Sequence, residues 1–93
     1  MKVVNLTSPR SGKPVANQFI IEAPEGEYLQ SYQSIVAFKP RSGDDRIVFG
    51  KDWDYSNTTR KYLHQFLLSH GINLTTEQKR KAVKRGEIKV IDL

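Results

Sequence analysis

Arg80, Lys81, Lys84 and Arg85 recur in "TEQKRKAVKRG" at spacings that a helix gathers onto one side. At about 100° per residue they fall within a stripe of roughly 140°. A positive stripe of that width suits phosphates, so the chemistry it offers is anion binding, above all of nucleic acid. The plainer reading is a solvated helix face. Arg10 and Lys13, in an N-terminal stretch that holds no acid, are candidate secondary phosphate contacts. The net charge is +5, with the bases gathered toward the two ends of the chain and a nearly neutral centre. That balance disfavours a DNA mimic, which needs an acidic surface.

Other reactive side chains are sparse. His64 and His70 lack the i,i+4 spacing of helical metal ligands. His64 falls beside Arg60 and Lys61 on the polar side of its helix, as a surface residue; His70 follows the apolar face and should pack or cap a carbonyl. Asp44 and Asp45 sit in a turn and Asp52 and Asp54 bracket Trp53, but the further oxygen ligands and the glycine of a calcium loop are missing. "SGK" is no phosphate-binding Walker loop, because Thr7 stands where a glycine is needed and Pro14 follows Lys13. The absence of cysteine excludes disulfides and thiolate metal sites and fits a reducing cytoplasm. No catalytic residue, metal site or cofactor is expected, and the protein reads as a non-enzymatic binder in the cytoplasm of a host cell.

Aromatic side chains offer a second surface. Tyr28 and Tyr32, with the Trp53 region, could form a protein-binding patch, since aromatic residues dominate interface hot spots. Tyr28, Tyr32 and Phe38 also invite comparison with a stacking platform for single-stranded nucleic acid, although the aromatic-and-basic run of the RNA-recognition fold is absent and strand aromatics mostly serve the core. The basic helix does not resemble a helix-turn-helix reader. Its apolar face is only Ala82 and Val83, and its N-terminal end offers Thr76, Glu77 and Gln78, so phosphate contact is supported and base readout is not.

These residues need a frame. With 93 residues, 38% of them apolar, the chain is expected to be one soluble domain, residues 1–93. No apolar run approaches the roughly 20 residues of a membrane span, and "MKVVNLTSPR" lacks the apolar core of a signal peptide. "MKVVNL" reads as a strand, residues 7–17 as a basic Pro/Gly/Ser loop, and "NQFIIEA" as a second strand before the turn "PEGE". "YLQSYQSIVAFKP" reads as one long strand with a bulge near Gln33–Ser34, and "RIVFG" as another strand after the turn "RSGDD". Pro-Arg-Ser-Gly, which occurs at Pro9–Gly12 and Pro40–Gly43, is turn chemistry.

From Tyr55 the period becomes helical: Tyr55, Thr59, Tyr62, Leu63, Phe66, Leu67 and His70 trace one buried face. Asp54 or Ser56 caps its start and Gly71 stops it. Thr75 and Gln78 form a capping-box pattern for a second helix that ends at Gly86, in which Glu77 and Lys81 could pair and Lys79 should lay its stem on the core and snorkel. "EIKVIDL" closes the chain as an alternating strand. The fold expected is α+β: a small antiparallel sheet, a three- to five-stranded meander plus a C-terminal strand, packed against two helices. An exposed sheet edge could support a dimer.

"VANQFIIEA", "YLQSYQSIVAF", "WDYSNTTRKYLHQFL" and "GEIKVIDL" together resemble a family of small uncharacterised proteins carried by phages and mobile elements of Gram-positive bacteria, over about residues 14–93. The resemblance implies no activity, cofactor or catalytic residue. It implies a setting: an accessory protein that binds nucleic acid or a nucleoprotein, or one that blocks a host defence machine such as a CRISPR effector. The two functional expectations are therefore nucleic-acid binding through Arg80, Lys81, Lys84 and Arg85 with Arg10 and Lys13, or inhibition of a host protein through Tyr28 and Tyr32.

Overall fold

A computed structural model describes residues 1–42 and 46–93. Its strands are β1 (Lys2–Thr7), β2 (Pro14–Ala23), β3 (Gly26–Ser31), β4 (Ser34–Pro40), β5 (Val48–Gly50) and β6 (Val90–Ile91); helices α1 (Asn57–Ser69) and α2 (Thr76–Lys84) lie between β5 and β6. The sheet order follows the chain, β1-β2-β3-β4-β5-β6. Neighbours are antiparallel as far as β5, and β6 then pairs with β5 in parallel, Phe49 beside Val90. A parallel neighbour requires a crossover, and the two helices supply it. The architecture is α+β.

The expected long strand over residues 28–40 is two strands. Ser31 pairs with Ser34, which leaves Tyr32 and Gln33 as a two-residue loop with Tyr32 at φ 57°. The reading of a bulge near Gln33–Ser34 mistook a reversal for a bend; the irregularity itself lies between Leu29 and Gln30, opposite Ala37 and Ile35. The loop at 7–17 is shorter than expected, because Thr7 pairs with Pro14 and strand resumes there. Asp44, Asp45 and the glycine of the second Pro-Arg-Ser-Gly lie outside the described residues.

Register explains the layers. Along one lateral row Val4, Ile20, Leu29, Ala37 and Phe49 stand side by side, and alternation points them toward the helices. Leu29, Ala37 and Phe49 join Trp53, Leu63, Phe66, Leu67, Ala82 and Ile88 in the core. The next row, Val3, Ile21, Tyr28, Phe38 and Val48, faces away from them. Tyr28 therefore belongs to the outer face, its ring 4.4 Å from Phe38 and its hydroxyl donating to Glu25.

Both helices have well-made ends. Ser56 caps α1 by accepting from the Thr59 N–H, and Thr75 and Gln78 complete the capping box of α2. At the C-termini the N–H groups of Gly71 and Ile72 return to Leu68 and Leu67, and those of Gly86 and Glu87 return to Val83 and Ala82. This Schellman pattern needs a left-handed residue, which Gly71 at φ 75° and Gly86 at φ 78° supply without a Cβ penalty. Thr59, Tyr62, Leu63, Phe66 and Leu67 form the buried face of α1, as the periodicity predicts. Tyr55 does not open that face: it precedes the helix and is 77% exposed.

Candidate functional site

The second helix carries the basic stripe, but its cations have unequal freedom. Lys79, expected to snorkel, is buried, with 1% of its surface exposed. Burial pushes its ammonium below the ordinary lysine value, and the nearby Asp54 carboxylate opposes that shift. Arg80 is committed to Asp54, with Nε 3.0 Å from Oδ2 and Nη2 3.3 Å from Oδ1, though half of its side chain remains exposed. Lys81, Lys84 and Arg85 are exposed and make no salt bridge among the described residues. The expected Glu77–Lys81 pair does not close to a salt bridge.

Asp54 is the joint between the helices. Besides Arg80 it receives Arg60 of α1, whose Nη1 lies 2.9 Å from Oδ1 and 3.1 Å from the Asp54 carbonyl. The Arg80 hydrogen bonds, reinforced by Arg60, hold the Asp54 carboxyl below its usual range, and Asp54 in turn raises Arg80. Asp54 is thus a tether, and Ser56 alone is the cap of α1.

Arg10 and Lys13 do not join this group. They sit exposed on the β1–β2 connection at one edge of the sheet, whereas α2 leads into β6 at the opposite edge. Gln65 of α1 donates to the Thr7 carbonyl, which ties that connection to the first helix. Arg41, the arginine of the second Pro-Arg-Ser-Gly, donates to the carbonyls of Ala23 and Pro24 and clamps the β2–β3 turn.

The aromatic patch expected from Tyr28, Tyr32 and the Trp53 region does not assemble. Trp53 is 7% exposed, its ring 5.1 Å from Phe49 in the core, and Tyr28 is on the outer face. Tyr32 instead shares a cleft with Tyr55. Both line a cleft of about 690 Å³ between the β3–β4 turn and the start of α1, together with Asn17, Gln33, Asp52 and Thr58. Beneath it Ser31 and Thr59 share a buried hydroxyl contact of 3.0 Å, Ser56 donates to Thr59, and Ser34 donates to Asp52 at 2.8 Å. The polar run "QSYQS" in an otherwise apolar stretch signals exposure at this point of the chain, though not a reversal.

The histidines are structural. His64 Nδ1 lies 3.2 Å from the Leu74 carbonyl, which holds the α1–α2 connection, so the ring is half-buried and is not the free surface group its position suggested. His70 packs its ring edge on Phe66 and contacts Glu27 at 3.0 Å. Among the described residues no group of three or more His, Cys, Asp or Glu side chains is placed to hold a metal ion, and no helix is long and apolar enough to cross a membrane.

A family model described as a family of unknown function (DUF8033) matches residues 1–86, a span that includes the basic β1–β2 connection. No curated protein and no solved structure matches the chain. Nearly the whole fold, from β1 through both helices, falls within that span, and the chain belongs to the DUF8033 family.

Proposed function

We propose that the protein is a non-enzymatic accessory protein of a phage or mobile element that binds nucleic acid, alone or within a nucleoprotein, through the C-terminal half of α2. The observation that carries the reading is the freedom of Lys81, Lys84 and Arg85. Lys79 is buried and Arg80 is committed to Asp54, whereas these three remain exposed on one helix end with no salt bridge among the described residues. Exposed cations of this kind release counterions when they meet phosphates, which makes binding favourable at low salt and weak at high salt. Arg80 adds a half-exposed guanidinium to the same surface, while Arg10 and Lys13 form a separate, secondary patch at the other sheet edge.

Fluorescence anisotropy with labelled oligonucleotides over a salt series tests it. Replacing Lys81, Lys84 and Arg85 together by Gln should flatten the slope of log affinity against log salt by about 2–3, at roughly 0.7–0.9 for each phosphate no longer neutralised. Melting should change little, because the three side chains are exposed. Absence of binding by the native protein at low salt, or an unchanged slope in the triple variant, would overturn the proposal.

A further inference from the structure

We infer that the cleft between the β3–β4 turn and the start of α1 receives an unpaired nucleobase, which makes single-stranded nucleic acid the partner; this rests on the nucleic-acid reading of α2. The cleft, at about 690 Å³, has the size of a small-molecule site and is more than large enough for one base. Two tyrosine rings stand open at it, Tyr32 at 48% and Tyr55 at 77% exposure, one from each of the segments that form it. Exposed rings in a polar cleft are suited to stacking, and every base presents a flat π-face. Asn17, Gln33 and Asp52 supply the donors and acceptors that a base edge needs.

The backbone points to the same place. Among the described residues Asn17 (φ 64°) and Tyr32 (φ 57°) are the non-glycine positions with positive φ, and both line this cleft. They are joined by a bond of 2.7 Å from the Tyr32 N–H to the Asn17 carbonyl. Asn tolerates that conformation, but a bulky ring does not, and Gly, Asn or Asp would relax the turn. A strained tyrosine kept with its ring exposed is what a binding role for that ring would require.

Charge fixes which part of a nucleotide enters. Asp52 would repel a phosphate inside the cleft, so the base enters and the backbone stays outside. The cations that would take the backbone are on α2: Tyr55 at the cleft directly follows Asp54, whose carboxylate holds Arg80, and Lys84 lies one turn beyond Arg80 on the same side of that helix.

The test is anisotropy at low salt with labelled oligothymidylate and a labelled duplex of equal length, using the full chain. Tyr32→Asn should raise the melting temperature, because it relieves the positive φ, and still weaken oligothymidylate binding about tenfold; Tyr55→Ser should weaken it similarly, and neither should change duplex affinity. Wild-type affinity for oligothymidylate in both variants overturns the inference, as does a wild-type preference for the duplex. If only the α2 triple variant loses binding, the cleft assignment fails and the helix assignment stands. If the native protein binds neither probe, both fail. Unchanged oligothymidylate binding with loss of a protein partner would reassign the cleft to protein recognition.

Discussion

Replacing Lys79 by Met should stabilise the protein, although it deletes a cation from a helix rich in them. Lys79 has 1% of its surface exposed, so folding strips most of the water from its ammonium. Methionine has an unbranched stem of comparable reach and fills the same space without that cost. One favourable contribution disappears, the attraction between Lys79 and Asp54. Its loss leaves no unpaired carboxylate, because Asp54 keeps Arg60 at 2.9 Å and Arg80 at 3.0 Å. The balance is a gain of about 1 kcal/mol, or about 4–8 °C in melting temperature for a chain of this size. A pH signature accompanies it. The folded Lys79 value is lowered from the ordinary 10.5, so between the two values the unfolded chain binds more protons than the folded one. Wild-type stability therefore contains a contribution that rises with pH through that window and is lost below it, and Lys79→Met should lack that rise. Urea unfolding of both proteins at several pH values from neutral to alkaline measures both effects. A destabilised variant, or an identical pH dependence in the two proteins, would show that the ammonium is solvated or bonded in the folded state and would refute the reasoning. Nucleic-acid affinity should be unchanged, which separates this buried lysine from Lys81 and Lys84.

Trp53→Ala should cost about 3–5 kcal/mol in urea unfolding, since the ring is 7% exposed and packs on Phe49 at 5.1 Å; an unchanged midpoint with abolished binding would move Trp53 from the core to the site. Asp54→Asn should remove an acid-sensitive contribution. Asp54 is held below its ordinary 3.8 by Arg80 and Arg60, so its stabilisation is complete above that value and is lost as pH falls through the lowered one. Thermal melts of the variant should fall below wild type at neutral pH, and the difference should shrink in strong acid; a pH-independent difference would refute the tether.

What could be read before the structure depended on whether a residue's role is local. The caps at Ser56 and Thr75, the stops at Gly71 and Gly86, and the buried face from Thr59 to Leu67 are set by spacing along one helix, and spacing is visible in a sequence. The β3–β4 reversal was hidden because its loop is Tyr32–Gln33, with none of the Gly, Asn, Asp or Pro that marks a tight turn. Without that reversal β4 could not be separated from β3, and Tyr32 could not be placed apart from Tyr28. The pairing of Asp54 with Arg80, which lies 26 residues away, was equally illegible, because helix–helix approach decides it. Asp54 reads locally as a candidate cap for the helix start, and it is instead the contact that ties the second helix to the first.

That contact bears on why the basic helix is placed as it is. A helix with Ala82 and Lys79 as its buried residues has little apolar surface with which to fix its own angle. Its position must then be set by contacts outside that face. Midway along the helix Asp54 grips Arg80, and at the near end His64 holds the Leu74 carbonyl of the preceding connection. At the other, the Schellman turn at Gly86 feeds Ile88 into the core and the chain into β6 beside β5. Held at both ends and at Arg80 in its middle, α2 presents Lys81, Lys84 and Arg85 from a fixed platform without burying them. The weak apolar face, which argued against a helix-turn-helix reader, is consistent with a helix whose exposed side is the working one.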